Sequence, residues 1–228
     1  MRAALLNVFK PVASAWLLFL IAMSVFSILN IDFMLTDFIY RLQGNSWAWK
    51  DTLITQDILH TGGKWLSLTM GLATLLLLIL STVVTRLKAY RTPLLYLFSA
   101  TLLSALLVAT IKHLVSMECP WDLVRYGGAR DFIGLLNMRP SSMPASACFP
   151  AGHASAGYTW IAFYFFFAAI RPHWRWAGLA LGVGLGLTFG ITQQFRGAHF
   201  ISHDLWTVMI CWTVSFVLSR FLLPPSVH

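Results

Sequence analysis

Charged residues are scarce in this sequence, and their scarcity excludes several classes of protein. Asp, Glu, Lys and Arg make up 11% of the 228 residues, whereas they make up about a quarter of a soluble domain. Hydrophobic residues make up 58% and the mean hydropathy is +0.72, which predicts an integral membrane protein. The sequence offers neither a basic patch nor an aromatic nucleic-acid motif, and this excludes a nucleic-acid partner.

Repeats, low-complexity tracts and linkers are also absent, so residues 1–228 are expected to form a single domain. Apolar runs long enough to cross a hydrocarbon core of about 30 Å cover residues 12–31, 65–85, 93–115, 152–170, 177–195 and 205–223. The first run is too long for a signal peptide and lacks a cleavage site, which predicts a retained helix. Because the runs are continuous, they exclude a β-barrel and predict an all-α polytopic membrane protein with six transmembrane helices.

Acidic residues are missing from one side of the predicted membrane. With six spans, the side that holds both termini carries only basic charges: Arg2, Lys10, Arg86, Lys88, Arg91, Arg171, Arg175 and Arg220. All eight acidic residues fall on the other side. By the positive-inside rule the N- and C-termini are cytoplasmic. In a bacterium this predicts a multi-pass protein of the inner membrane whose opposite side faces the periplasm.

Polar residues are concentrated in three segments of that non-cytoplasmic side. The candidate functional residues of these segments are Lys112 at the end of the third run, Ala151, Gly152 and His153 at the start of the fourth, and Arg196, His199, His203 and Asp204 before the last. A snorkelling lysine, a capping turn and a structural histidine pair are the alternative interpretations. Charged groups are costly to desolvate at a membrane boundary, so the third segment in particular indicates chemistry.

These residue types together support phosphoryl transfer. Lysine and arginine bind phosphate oxygens, and Arg125 and Arg130 lie in the same loop region. Gly152 permits close approach of the backbone, and the first N–H groups of a helix suit an oxyanion. His199 and His203, four residues apart on one helix face, can bind a metal or form a nucleophile with its orienting partner. A phosphohistidine mechanism needs a nucleophilic histidine, cations and a histidine acid, and it needs neither metal nor cofactor.

In the order and spacing of these motifs the chain resembles the type 2 phosphatidic acid phosphatase (PAP2) superfamily of membrane lipid phosphatases. The family pattern is K-x6-R-P, then P-S-G-H, then S-R-x5-H-x3-D, on six helices. In the first motif Lys112 and Pro120 are present, but Cys119 replaces the arginine. Arg125 is the candidate substitute.

The second motif of the family falls on residues 150–153 of this chain. Ala151 replaces the serine, while Gly152 and His153 match. The resemblance implies that Ala151 and Gly152 bind phosphate with Lys112, and that His153 is the general acid that protonates the leaving group.

The third motif can be aligned in two ways. Without a gap, His199 is the nucleophile, His203 or Asp204 orients it, and the family arginine falls on Gln193, so that Arg196 reaches the phosphate from another turn. In the other alignment Arg196 pairs with His203 as nucleophile. The ungapped alignment is favoured.

Two of the three cysteines adjoin these motifs. Cys119 and Cys148 both lie on the non-cytoplasmic side, where disulfides persist, so we expect them to be bridged. The bridge would fix the first motif against the second. Cys211, within the last helix, is expected to be a free thiol.

The resemblance implies a metal-independent phosphatase that hydrolyses a lipid phosphate monoester or pyrophosphate on the periplasmic side. Its partners would be the bilayer and a lipid substrate such as a polyprenyl pyrophosphate, a lipid A phosphate or a glycerophospholipid phosphate. Residues 32–63 either flank the substrate entry or form an ordinary loop with aromatic anchors.

Three other functions remain open from the sequence. A lipid-to-lipid phosphotransferase would use the same histidine intermediate, and an inactive lipid-binding or transport protein would keep only the scaffold. A zinc hydrolase would use His199 and His203 with Asp204 or His153, although the sequence lacks the glutamate of an HExxH motif. The oligomeric state is open as well.

Overall fold

The computed structural model describes residues 2–134, 137, 140 and 145–227, and within these ranges the chain is helical and without strands. The predicted all-α fold is therefore confirmed. The α-helices of the described ranges are α1 (Arg2–Ile28), α2 (Ile31–Leu42), α3 (Gly63–Val83), α4 (Arg91–Leu114), α5 (Gly152–Tyr158), α6 (Phe163–Ile170), α7 (Arg175–Phe195) and α8 (Ile201–Leu222).

Five helical segments of the described chain are long and apolar enough to cross a membrane: Phe9–Ile28, Leu53–Val83, Thr85–Leu114, Pro172–Phe195 and Ile201–Leu222. The fourth predicted run is interrupted, because α5 is joined to α6 by the 3-10 turn Thr159–Ala162. Its three pieces together are roughly 30 Å long, which is close to the thickness of a hydrocarbon core. A sixth span through this interrupted helix stays a prediction.

Glycines allow α5 and its extension to pack against α7 in direct backbone contact. A Cβ atom on Gly157 would lie 2.3 Å from the backbone nitrogen of Gly186, and one on Gly182 would lie 2.4 Å from that of Ile161. Any side chain at these positions would push the helices apart. This packing fixes the start of α5, which carries His153, against α7.

The apolar core lies among α4, α5, α6 and α8. Two large aromatic side chains of this core have satisfied polar atoms, since Tyr96 donates to the Ser215 carbonyl and Trp160 donates to Ser67 Oγ, each at 3.0 Å. Many long apolar side chains of α1 and α3 are exposed. Exposed apolar faces of this extent are typical of helices that contact lipid.

A disulfide between Cys119 and Cys148 joins the loop after α4 to the segment before α5, as predicted. Cys211 is a free, buried thiol, also as predicted. The bridge holds the end of α4 beside the start of α5, where the first two sequence motifs lie.

The residues between α2 and α3, which we call the covering segment (residues 43–62), lie against the corner between α7 and α8. Gln43 donates to the Phe195 carbonyl at 2.8 Å. Trp47 packs on Gly197, where a Cβ atom would come within 2.5 Å of its ring and φ is +73°. The second half, Leu53–Gly62, is a π-helix that contacts α7. The covering segment therefore borders the third sequence motif.

Candidate active site

His199 and His203 form a buried pair at the corner between α7 and α8. Their Nδ1 atoms are 3.3 Å apart, and the two residues are only 6% and 0% exposed. One Nδ1 must carry the proton and the other must accept it, so the contact fixes the orientation of the His199 ring. The contacts of His199 with His203 and with Cys148 Sγ are both made by Nδ1, which makes Nε2 the candidate nitrogen for attack on a substrate.

The disulfide lies directly against the His199 ring. Sγ of Cys148 is 3.8 Å from Nδ1 of His199 and 2.7 Å from the carbonyl oxygen of Ala198. Burial of the ring, together with the charges of His203 and Lys112, lowers the pKa of His199 well below its usual value. His199 is therefore neutral near pH 7, and the neutral imidazole is the nucleophilic form.

Metal ligation has one candidate cluster in the described chain. One ligand atom each from Cys148, His199 and His203 lies within 4.8 Å of the others. However, Cys148 is bridged to Cys119 and has no thiolate to offer a metal. Neither Asp204 nor His153 joins this cluster, so the ligand set considered from the sequence is not assembled among the described residues.

Lys112 and His153 approach the histidine pair from α4 and α5. Nζ of Lys112 lies 3.4 Å from the point that a Cβ atom would occupy on Gly152, which puts the lysine beside the residue that precedes His153. Lys112 and His153 both act electrostatically on His199. Lys112 of the first motif therefore lies beside Gly152 of the second, and both motifs are near enough to His199 of the third to influence it electrostatically.

Arg196 is buried and points back along the end of α7. Its Nη1 donates to Oε1 of Gln193 at 3.1 Å, and its Nε donates to the Lys50 carbonyl at 2.7 Å. Its Nη2 donates to Gln56. The guanidinium therefore lies at the side chain of position 193, where the ungapped alignment puts the family arginine. Arg196 also acts electrostatically on His153, which links it to the same cluster.

Asp204 does not contact His199 in the described structure. Its Oδ2 accepts a hydrogen bond from Gln194, and its carboxylate lies against Gly190 of α7. Adjacent residues of a helix are rotated by about 100°, so Asp204 cannot share the face of α8 that His203 presents to His199. Of the two orienting partners considered from the sequence, the geometry favours His203.

Two further predicted phosphate-binding residues have other partners. Arg125 forms an ion pair with Asp37 of α2 at 2.6 Å and is 55% exposed. Its hydrogen bonds lower the pKa of Asp37. The backbone N–H of Ala151 donates to Oγ1 of Thr207 at 3.0 Å, so it is already used in holding α5 to α8. Arg125 is therefore not part of the cluster, whereas Ala151 borders it, because its N–H also donates to the His203 carbonyl at 3.4 Å.

The sequence interpretation missed two residues of the covering segment that border the cluster. Gln56 bonds to Arg196, and the ring of His60 lies 4.5 Å from the ring of His153, centroid to centroid. The sequence contains no clear signal for them, because Thr55, Asp57 and Thr61 interrupt the same stretch and the segment forms a π-helix, to which the four-residue spacing of an α-helix does not apply.

An apolar groove of about 570 Å³ runs between α3, α4 and α5 and reaches Lys112 and Gly152. Lys64, Lys112 and Gly152 form its polar end, and side chains such as Leu68 and Leu72 line its length. A groove that is charged at one end and apolar along its walls suits an amphipathic molecule with an anionic head.

The family model of the PAP2 superfamily matches residues 93–224, which is more than half of the chain. Searches of curated proteins and of solved structures gave no match. The matched range includes Lys112, His153, Arg196, His199 and His203, and it excludes α1, α2, α3 and the covering segment.

Proposed function

Because the chain belongs to the PAP2 superfamily, whose members are generally phosphatases, we propose that it removes phosphate from a membrane lipid through a phosphohistidine on His199. The observation that carries the proposal is the buried contact between His199 and His203 at 3.3 Å, with Lys112 and His153 acting electrostatically on His199, and Arg196 acting on His153. A neutral histidine with a fixed ring, a second histidine and two cations are the groups that this chemistry requires.

In the first step of the proposed reaction, Nε2 of His199 attacks phosphorus and the bond from phosphorus to the leaving oxygen breaks. His153 gives its proton to that oxygen, and the lipid leaves as an alcohol or as a shorter phosphate. Lys112 and Arg196 stabilise the charge on the oxygens that stay on phosphorus. In the second step water attacks the phosphohistidine, His153 takes the proton of the water, and inorganic phosphate is released with His199 restored.

The groove supports a lipid as the substrate. Its walls are apolar and its polar end contains Lys112, so a lipid tail can lie along α3 and α4 while the phosphate reaches the cluster. This arrangement suits a phosphate monoester or pyrophosphate on a polyprenol, on lipid A or on a glycerophospholipid. The distribution of basic residues supports a reaction on the non-cytoplasmic side, which is the periplasm for an inner-membrane protein of a bacterium.

Phosphate release from a panel of these lipids by purified protein in detergent tests the proposal. We expect the wild type to release phosphate equally with and without EDTA. His199→Ala should abolish release, and His153→Ala should lower kcat by about 10²- to 10⁴-fold, the usual contribution of a general acid. His173→Ala, at an exposed histidine outside the cluster, is the matched control and should equal the wild type.

Other outcomes distinguish the alternatives. Label transferred from one lipid to another, with no inorganic phosphate formed, would identify a phosphotransferase. Absence of release and of transfer with every lipid would favour a binding or transport protein. Loss of activity on chelation, restored by zinc, would contradict the metal-independent mechanism.

A further inference from the structure

We propose that His60 is a substrate-binding residue of this site and that its Nδ1–H donates a hydrogen bond to an oxygen of the phosphate. The inference rests on the proposed function, since it assigns one more residue to the same phosphate. His60 lies outside residues 93–224, the range matched by the superfamily. The active site would then include the covering segment.

The π-helix that carries His60 is tied to the candidate catalytic groups. Gln56 and the carbonyl of Lys50 both accept hydrogen bonds from Arg196. The carbonyl of Leu59 lies 3.2 Å from Nε2 of His153. Short π-helical stretches occur frequently at functional sites, where the wider turn moves a side chain to a position that an α-helix would not give it. The segment is therefore held against both the predicted acid and the predicted phosphate-binding arginine.

The His60 ring is placed to bind an anion beside His153. The two ring centroids are 4.5 Å apart with the planes tilted by 54°. Nδ1 of His60 is buried and has no hydrogen-bond partner among the described residues. Buried polar atoms are nearly always paired, so an orphaned donor at a substrate site points to a ligand. Arg196, Lys64 and Lys112 act electrostatically on the same ring. A phosphate oxygen would accept from Nδ1–H and would also attract these three cations.

Two positions of this chain differ from the family motifs, and both differences remove a phosphate-binding side chain that His60 could replace. Cys119 stands where the family pattern has an arginine, and Ala151 stands where it has a serine. The site is therefore two phosphate donors short of that pattern, and Arg125, the candidate replacement, is paired with Asp37 instead. An imidazole from the covering segment would restore one of the missing donors.

Two substitutions separate hydrogen bonding by His60 from packing. His60→Phe keeps an aromatic ring against His153 and removes the N–H, whereas His60→Asn removes the ring and keeps an N–H near the position of Nδ1. We expect His60→Phe to raise KM for the lipid phosphate and the inhibition constant of inorganic phosphate by about 10- to 100-fold, the range for losing a hydrogen bond to a charged group. His60→Asn should stay within about threefold of the wild type, and His173→Phe is the matched control.

The outcomes are distinct from those that test the proposed function. An inactive wild type would remove the proposed function and this inference with it. If the wild type is active and inorganic phosphate inhibits His60→Phe as strongly as the wild type, the role of His60 would be overturned and the proposed function would stand. The same holds if both variants lose activity together with their melting temperature, because a packing role would explain that result.

Discussion

The two histidine pairs of this protein differ in how they are built. His199 and His203 are joined nitrogen to nitrogen at 3.3 Å, are buried, and lie against a disulfide. The rings of His60 and His153 are 4.5 Å apart with their planes tilted by 54°. Nδ1 of His60 is buried and unpaired among the described residues, as is Nε2 of His203, but the His60 nitrogen belongs to a ring that has no nitrogen-to-nitrogen contact with its partner. The first arrangement fixes one ring for attack, and the second leaves a nitrogen for a ligand. A nucleophile needs orientation, whereas a binding group needs a free donor.

The largest expected effect comes from breaking the first pair. His203→Ala removes the partner that orients His199 and should lower kcat by about 10²- to 10⁴-fold, as for other orienting residues of nucleophilic histidines and serines. His203→Asn, whose carbonyl can accept from Nδ1–H of His199, should recover at least about tenfold of that loss. Steady-state phosphate release measures both. Normal activity in His203→Ala would show that His199 is oriented by another group.

Comparing the two arginines predicted to bind phosphate tests which of them belongs to the active site. Arg196→Gln should lower kcat/KM by about 10²- to 10³-fold, because a buried cation that stabilises the transition state is lost. Arg125→Gln removes only an exposed ion pair and should change kcat/KM by less than about threefold. Steady-state phosphate release by both variants measures the two effects. A larger effect at Arg125 than at Arg196 would reverse the assignment.

The disulfide next to His199 and His203 is a second feature that the pair His60 and His153 lacks. Replacing Cys119 and Cys148 together by serine opens a loop of 29 residues and should lower the free energy of unfolding by about 3–4 kcal/mol. Because Cys148 contacts the His199 ring, activity should fall as well. Denaturant unfolding in detergent gives the first quantity, and Cys211→Ser, at the buried free thiol, controls for loss of a sulfur atom. Unchanged stability in the double variant would contradict the structural role of the bridge.

The smallest expected effect is on stability at acid pH. Burial lowers the pKa of His199 in the folded protein. At pH values between this lowered pKa and about 6.5, His199 is therefore protonated in the unfolded chain and neutral in the folded protein. The contribution of His199 to stability is thus complete above about pH 6.5 and is lost as the pH falls below it. The free energy of unfolding should fall less between neutral pH and about pH 5 in His199→Phe than in the wild type. Equal losses would indicate that other groups dominate.

The sequence predicted the parts of this structure that local patterns determine. Continuous apolar runs predicted the helices. The expectation that His199 and His203 lie on one helix face was wrong, because α8 begins at Ile201 and His199 lies in the stretch before it, although the two Nδ1 atoms still meet. The position of Cys119 and Cys148 beside the motifs predicted their bridge. Each of these inferences needed only periodicity or proximity along the chain.

Other features depend on tertiary packing and could not be predicted in that way. The guanidinium of Arg196 is held by the Lys50 carbonyl and by Gln56, which lie about 140 residues earlier in the chain, and the choice between the two alignments of the third motif stays a prediction. Arg125 was misjudged because its partner, Asp37, lies 88 residues earlier in the chain. His60 meets His153 across a similar distance in sequence, and no local pattern reports such a contact.

The most direct test of the account is to locate the phosphoryl group during turnover. Wild-type protein is mixed briefly with a lipid phosphate, quenched in alkali to preserve phosphohistidine, digested, and sequenced by mass spectrometry. The account predicts phosphate on His199, with none on that peptide in His199→Ala. Phosphate on His203 or His153 in the wild type would contradict the central claim that His199 is the nucleophile.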